Sequence, residues 1–283
     1  MATNLREPGF GHVLGHFDTT VVVAFLDAEQ VAQWLPPGLS LAARGPGREG
    51  SHPVMCMVAK GYQVALSFLP MAMMRANVVG IFVPGVTMDG REDLGIFSHT
   101  IRWWCDRGWR PRLGARWMGL PSGPEAPIFS APTSSWTAEV PGFCKISVQE
   151  NGRFPDWPQA RALCPVIQQP LLAERGGKWL ASGLYWNLGD ADMRDATVQL
   201  ELSPAVSQRP GFAGMAVDTR IEGLVDTGTG GALRLASDWT MTRRRTVDAG
   251  WSNWRARPSM RLRADTALID VAAPKPSAPP PTA

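Results

Sequence analysis

Short stretches of apolar and β-branched residues alternate with turn residues along most of the chain. Stretches of this length, bounded by Gly, Pro or Asp, are typical of β-strands. The predicted strands cover residues 19–25, 53–59, 62–68, 77–84, 94–105, 135–140, 143–148, 179–188, 196–202, 214–224 and 232–242. The last four tend to alternate apolar and polar side chains, as half-buried strands do. The pattern therefore predicts a chain built mainly of sheets.

Few helices are predicted. Asp27 can cap a short helix over residues 27–35, whose apolar side chains fall on one face before a Pro-Pro-Gly sequence ends it. Residues 1–17 are rich in glycine and predict an irregular arm. Residues 151–176 are rich in Pro, Gly, Gln and Arg, and we expect a long connection there with a short helix near Leu163.

Turn residues predict how neighbouring strands pair. Asp89 and Gly90 form a dipeptide typical of a tight hairpin. A Pro-Gly pair at 141–142 is expected to pair the strands on either side of it. The glycines of residues 226–231 predict a hairpin between the last two strands, because glycine readily adopts the positive φ that tight turns need.

Many short strands with few helices favour a mainly β fold. We expect one domain over residues 1–270, in which antiparallel sheets curl into a cone or barrel with a few short helices. A barrel of this size can enclose a cavity for a small ligand. The proline-rich residues 271–283 predict a disordered tail.

Composition narrows the class of protein. The chain has 283 residues, 45% hydrophobic and 19% charged, and a formal net charge of +3, which is too small to indicate a polyanionic partner. The apolar run at 21–26 is too short to span a bilayer. Four widely spaced cysteines without a leader predict reduced thiols in a cytoplasmic protein. His12 and His16 lie in a glycine-rich stretch, so we expect no metal site.

Residues 114–129 predict two successive turns between apolar segments, a place from which side chains can be directed into a cavity. The sequence ARWMGLP at 115–121, followed by a turn, an apolar segment and SWTAEV at 135–140, resembles the central motif of the acetoacetate decarboxylase-like family. LPPGL at 35–39 and VVGIFVP at 78–84 are similar to two further family elements. The resemblance implies the cone-like β fold of that family.

The resemblance also implies what this chain lacks. It places the catalytic lysine pair of the family at Ser122 and Gly123, and a family glutamate near Asn77 and Val78. Decarboxylation through a Schiff base needs a neutral amine, which neither serine nor glycine supplies. The other lysines are Lys60, Lys145, Lys178 and Lys275. Lys145 follows the motif on a predicted strand, but a lone strand lysine is more typical of a surface, so we expect no reactive amine in the interior.

Three residues are candidates for catalysis. Arg116 precedes the turn and is suited to binding a carboxylate or enolate, while Glu125 follows it and is suited to proton transfer. An exposed arginine and a solvated carboxylate remain the alternative. His99 lies on a predicted strand and is a second proton carrier, although a structural histidine is the commoner case. Candidates for substrate binding are the aromatic wall residues and the hydroxyl of the turn: Trp104, Trp117, Trp136 and Ser122.

Other sites have weaker support. Ser122 lacks the setting of a nucleophilic serine. The arginines and tryptophans between 243 and 263 lack a nucleic-acid-binding motif, and the glycines at 226–231 lack the helix and lysine of a phosphate loop, so we expect neither nucleic acid nor a nucleotide cofactor.

The sequence therefore predicts an acetoacetate decarboxylase-like enzyme for a small to medium, largely apolar keto or carboxylic metabolite. It would use acid–base chemistry without a lysine imine, as a lyase, dehydratase or cyclase, and would need no cofactor. The alternative is a non-catalytic protein that binds small molecules on the same scaffold. The sequence leaves a homo-oligomer open.

Overall fold

A computed structural model describes residues 12–42, 50–66, 69–130, 135–150, 169–186, 192–202, 218–222, 231–242 and 245–247. The strands in chain order are β1 (His12–Asp27), β2 (Leu39–Leu41), β3 (Ser51–Leu66), β4 (Leu69–Met88), β5 (Phe97–Cys105), β6 (Ile128–Phe129), β7 (Ser135–Val140), β8 (Cys144–Glu150), β9 (Leu171–Arg175), β10 (Lys178–Ser182), β11 (Leu184–Trp186), β12 (Asp192–Leu202), β13 (Asp218–Glu222), β14 (Gly231–Thr242) and β15 (Arg245–Thr246). The helices are α1 (Ala28–Ala32) and α2 (Trp109–Met118), with a short 3-10 helix at Glu92–Leu94.

Twelve of the strands follow one another in a hydrogen-bonded sheet in the order β15-β10-β9-β5-β4-β3-β1-β14-β12-β8-β7-β6, and β2, β11 and β13 join it by pairing with β4, β14 and β12. All pairs are antiparallel except β5 with β9. The first part of β12 pairs with β14, and its second part, residues 196–202, pairs with β8. This strand therefore carries the sheet from one layer into the other. The mainly β, antiparallel fold is confirmed, but among the described residues the strands do not close into a barrel.

The interior lies where β7 and β8 pack over β3, β4 and β5. Buried residues from both layers form one hydrophobic cluster, which includes Val58, Val79, Trp104, Trp136 and Ile146. Because directly paired residues of a sheet point to the same face, the register identifies the other residues of the interior face. Apolar burial of this kind is the main stabilising contribution to the fold.

β3 is one continuous strand where the sequence predicts two. The predicted strands at 53–59 and 62–68 are joined through Gly61, and the pairing with β4 shifts after that residue. A β-carbon at Gly61 would lie 2.6 Å from side-chain atoms of both Phe17 and Val64, so the glycine serves close packing and not a turn. Phe17 itself belongs to β1, which begins at His12. The predicted arm over 1–17 is therefore wrong from residue 12 onward.

Other boundaries and pairings also differ from the sequence prediction. The Asp89 and Gly90 turn is present, but it leads into the 3-10 helix and not directly into a partner strand. β13 pairs with β12 rather than forming the predicted hairpin with β14. The predicted connection contains β9, while the helix near Leu163, the loop at 226–230 and the tail lie outside the described residues. The turn at 141–142 does pair β7 with β8, as predicted.

Helix α2 was not expected from the sequence, because its residues combine small, bulky and charged side chains without a clear apolar stripe. Trp109 is 68% exposed and Leu113 is also exposed. Gly119 ends the helix in a left-handed conformation with φ 79°, and the backbone N–H of Leu120 donates to the Ala115 carbonyl. This glycine cap brings the chain to the predicted turn.

Candidate functional site

The turn at 121–125 is fixed against the end of β5. The backbone N–H of Trp103 donates to the Pro121 carbonyl at 3.2 Å, and the N–H of Gly123 donates to the Trp103 carbonyl at 2.9 Å. On the outer side, Arg112 of α2 donates to the Pro124 carbonyl at 2.9 Å. The turn is therefore held by the strand on one side and the helix on the other.

This arrangement joins two of the predicted site residues, Glu125 and Trp104. Trp104 is fully buried, and its Nε1 donates to the Oε2 of the half-buried Glu125 at 3.3 Å. A β-carbon at Gly123 would lie 2.7 Å from Glu125 Oε2 and 2.7 Å from Trp104 Nε1. The contact consequently requires a residue without a side chain at Gly123, and it directs the carboxylate toward the interior wall.

Two further side chains extend this cluster. The rings of Trp104 and Phe143 meet edge to face with centroids 4.9 Å apart. The guanidinium carbon of Arg102 lies 5.8 Å from the centre of the Phe143 ring. We call Arg102, Trp104, Glu125 and Phe143 the turn site. It combines a cation, a carboxylate and two aromatic walls from β5, the turn and the start of β8.

Arg102 is a site residue that the sequence analysis missed. It pairs with Ile81 of the core, which places it on the interior face beside Trp104. Its Nε is buried and has no hydrogen-bond partner among the described residues. The period of two along the predicted strand at 94–105 was the available signal, because it places Arg102 and Trp104 on one face.

The remaining predicted residues of this region lie elsewhere. Arg116 is exposed on α2, so the structure does not bring it to the interior as a carboxylate ligand. Ser122 is also exposed, and its backbone forms an isolated bridge with Trp103. Trp117 is a residue of α2. Arg116 is exposed because α2 lies on the outside of the turn.

His99 lies in a different part of the interior. It is buried on β5, pairs with Val83 and Leu172, and its ring meets Trp179 edge to face at 6.2 Å. Burial lowers the pKa of His99 to about 4, although a backbone hydrogen bond with Leu172 opposes part of this shift. Its partner Val83 and the partner of Trp104, Val79, are four steps apart on β4, so the α-carbons of His99 and Trp104 are separated by about 13 Å. His99 is therefore neutral at pH 7 and remote from Glu125.

Trp136 lies on the opposite layer and contacts Lys60. The Lys60 Nζ is 4.8 Å from the centre of the Trp136 ring and 5.4 Å from that of Phe129, and it donates to the Ser130 carbonyl at 3.5 Å. Lys60 is only 9% exposed. The expectation that no amine enters the interior is wrong for this residue. Its Nζ therefore lies between two aromatic faces and a backbone carbonyl, a setting typical of a cation–π contact.

The other described lysines, Lys145 and Lys178, are exposed, as their strand and loop positions suggested. The described cysteines are free and buried, and burial raises the pKa of Cys105 to about 11 and that of Cys144 to about 12. These thiols are neutral at pH 7 and are unsuited to nucleophilic catalysis. Lys275 and Cys164 lie outside the described residues.

Among the described residues, no group of three or more His, Cys, Asp or Glu is placed to hold a metal ion. No helix in that part of the chain is both long and apolar enough to cross a membrane. The arginine-rich stretch at 248–263 lies outside it.

Comparison of the sequence with protein-family models and with curated proteins finds no match. Comparison with solved structures does find matches. MppR, an enduracididine biosynthesis enzyme complexed with pyruvate, is 16% identical with a TM-score of 0.54, covering 87% of this chain and 93% of that chain. An acetoacetate decarboxylase-like enzyme from Sphingomonas wittichii RW1 is 15% identical with a TM-score of 0.56, covering 87% of this chain and 98% of its own.

A third structure gives the same result. Acetoacetate decarboxylase from Legionella pneumophila subsp. pneumophila str. Philadelphia 1 is 13% identical with a TM-score of 0.55, and the match covers 88% of this chain and 92% of that enzyme. The matches extend over most of each chain, so they concern the whole architecture and not one motif. The chain therefore has the fold of the acetoacetate decarboxylase-like enzymes, as the sequence resemblance implied.

Proposed function

We propose that the protein is a lyase-type enzyme for a small to medium, largely apolar keto or carboxylic metabolite. The observation that carries the proposal is the hydrogen bond from Trp104 to Glu125, which holds a half-buried carboxylate against the wall of an acetoacetate decarboxylase-like interior. MppR, which shares this fold, is complexed with pyruvate, a keto acid. That complex supports a keto acid as the class of substrate.

Glu125 would transfer the proton. As a carboxylate it can accept a proton from the carbon next to a substrate carbonyl, leaving an enolate, and the resulting carboxylic acid can return the proton at another position. The bond from Trp104 Nε1 fixes which oxygen of the carboxylate faces the wall. Elimination, dehydration or ring closure all begin from such an enolate, and none of these steps calls for a cofactor.

This mechanism does not use a lysine imine. The interior amine, Lys60, lies between the rings of Phe129 and Trp136. Cation–π contacts of this kind favour the ammonium over the neutral amine that attacks a carbonyl. The buried thiols suit a reducing compartment, and we propose a cytoplasmic location.

A panel of 2-oxo and 3-oxo carboxylic acids, followed by mass spectrometry of the products, tests the proposal. The unmodified protein should turn over at least one member, and Glu125→Gln should lower kcat about 100-fold or more, since this is the usual contribution of a general acid or base. Lys145→Gln, a change at an exposed residue of β8, is the control and should leave kcat unchanged.

Two results would contradict the proposal. Full activity in Glu125→Gln would remove the assigned role, and borohydride trapping of a substrate adduct on Lys60 would establish an imine mechanism instead. Saturable binding without turnover across the panel would support the alternative, a non-catalytic binding protein. The separate surroundings of His99, which contacts Trp179, and of Glu125, which contacts Trp104, favour this alternative, because the turn site then contains only one group suited to proton transfer.

A further inference from the structure

Arg102 is a charged residue on the interior face for which the described part of the chain offers no acidic partner. Its partner in the register, Ile81, belongs to the hydrophobic core. Its Nε is buried and lacks a hydrogen-bond partner among the described residues. Guanidinium is charged at all physiological pH values and carries five N–H donors, so a partly buried arginine usually pairs with an anion.

The surroundings of Arg102 select the kind of anion. The Phe143 ring covers one side of the guanidinium at 5.8 Å, and Trp104 packs against that ring. Aromatic walls beside a planar fork suit a carboxylate attached to an apolar group, because the fork binds both carboxylate oxygens and the rings contact the remainder. A strongly hydrated anion such as phosphate would gain little from these rings.

We propose that Arg102 binds the carboxylate of the substrate, while the apolar part lies against Trp104 and Phe143 and the reacting carbon faces Glu125. The inference rests on the proposed function and specifies its substrate as an oxo carboxylic acid with an apolar or aromatic substituent. It moves the carboxylate ligand from Arg116, which is exposed on α2, to an arginine on the interior face.

Lys60 is less suited to this role than Arg102. Its ammonium already contacts the Ser130 carbonyl and the rings of Phe129 and Trp136. It is also paired in register with Asp18, and the negative charge of that residue opposes the approach of a second carboxylate. Lys60 therefore connects the two layers of the protein, whereas Arg102 remains available to a ligand.

Calorimetric titration of the full-length protein with 2-oxo-4-phenylbutanoate, and separately with its uncharged methyl ester, tests the inference. The acid should bind to the unmodified protein at least tenfold more tightly than the ester. Arg102→Gln should weaken binding of the acid at least tenfold and leave binding of the ester unchanged, because it removes charge-assisted hydrogen bonds. The affinity of Arg102→Lys for the acid should lie between that of the unmodified protein and that of Arg102→Gln. Arg107→Gln, at an exposed arginine after the same strand, is the matched control.

Equal binding of the acid to Arg102→Gln and to the unmodified protein would overturn the inference, as would equal affinity for acid and ester or no binding of the acid. Near-ultraviolet circular dichroism of each variant establishes that the aromatic packing is retained. Failure of the proposed function gives a different result. If only the proposed function is wrong, the unmodified protein still binds the acid through Arg102 but does not turn it over. If both proposals hold, the unmodified protein turns the acid over, and Glu125→Gln still binds it but does not.

Discussion

β5 carries two polar side chains in two different environments. Around His99, at one end, burial lowers the pKa to about 4, so the imidazole is neutral at pH 7. Near the other end, Arg102 retains a charge beside Trp104, where the turn brings in the partly exposed Glu125. One strand therefore serves both a dry structural core and a polar site. The difference arises from what covers the strand: β9 and Trp179 at the first end, a turn at the second.

The two ends of β5 show two different effects of burial on an ionisable side chain. In the dry core, desolvation removes the charge, and the residue acts as a packing element. In the turn site Glu125 is only half-buried, and the guanidinium of Arg102 cannot lose its proton. Chemistry is therefore expected at the second end of β5 and pH-dependent stability at the first. The following changes test each half of that statement.

The largest effect should come from acidification. The folded-state pKa of His99, about 4, is below the unfolded value of 6.5, so the unfolded chain binds more protons between these pH values. Stability present above pH 6.5 is then lost as the pH falls toward 4, on the order of 3 kcal/mol at 1.36 kcal/mol per pH unit. Urea unfolding at a series of pH values measures this slope.

His99→Gln should remove most of that slope, because glutamine does not titrate. His52 also contributes to the loss of stability at acidic pH, since burial lowers its pKa as well. His52→Gln is therefore the variant with which the slope of His99→Gln is compared. An unchanged slope in His99→Gln would contradict the assignment of the acid sensitivity to the His99 end of β5.

A smaller effect is expected from a methyl group at the turn. Gly123→Ala places a β-carbon 2.7 Å from both Trp104 Nε1 and Glu125 Oε2, and relieving the overlap should cost about 2 kcal/mol of unfolding free energy. It should also lower kcat, because the carboxylate moves. Gly114→Ala is the control: its β-carbon meets nothing within 4 Å on α2, and it should stabilise the protein by about 0.5 kcal/mol. Equal stability of the two variants would show that the turn tolerates the overlap.

The smallest changes in unfolding free energy are expected at Lys60 and Arg102, and they should differ in direction. Lys60→Met removes the contacts with two rings and a carbonyl, and should lower the unfolding free energy by about 1 kcal/mol. Arg102→Met removes one longer ring contact, with Phe143 at 5.8 Å, but also relieves a buried Nε that has no hydrogen-bond partner among the described residues, so the net change should be neutral or stabilising by up to about 1 kcal/mol. Denaturant titration at pH 7.5 measures both. A loss of stability in Arg102→Met as large as that in Lys60→Met would assign Arg102 a structural role.

Much of the fold was predictable because strands leave a local signal. The period of two and the turn residues at 141–142 predicted the β7 and β8 hairpin. The continuity of β3 was not predicted, because Gly61 permits close packing against Phe17 and Val64 and does not end the strand. Helix α2 has no clear apolar stripe in the sequence, and in the structure its large apolar residues Trp109 and Leu113 are exposed. Whether a glycine serves packing or a turn, and whether a helix face is buried, depends on residues distant in the sequence. Local patterns therefore could not predict either feature.

The candidate site was predictable only in part, for the same reason. Glu125 and Trp104 were named separately, and their contact depends on backbone bonds between the turn and Trp103. Lys60 was not expected inside, because its contacts with Phe129 and Trp136 come from strands distant in sequence. Residue type suggested the chemistry, whereas the pairing of distant segments decided which residues share a site.

Gly123 also limits how this protein can change over evolutionary time. The resemblance places a catalytic lysine of the acetoacetate decarboxylase-like family at or next to this position, yet a side chain there would collide with Trp104 and Glu125. A single codon change to lysine would therefore damage the existing site before any imine chemistry became available. A lysine at this turn would first require replacement of the tryptophan or the glutamate.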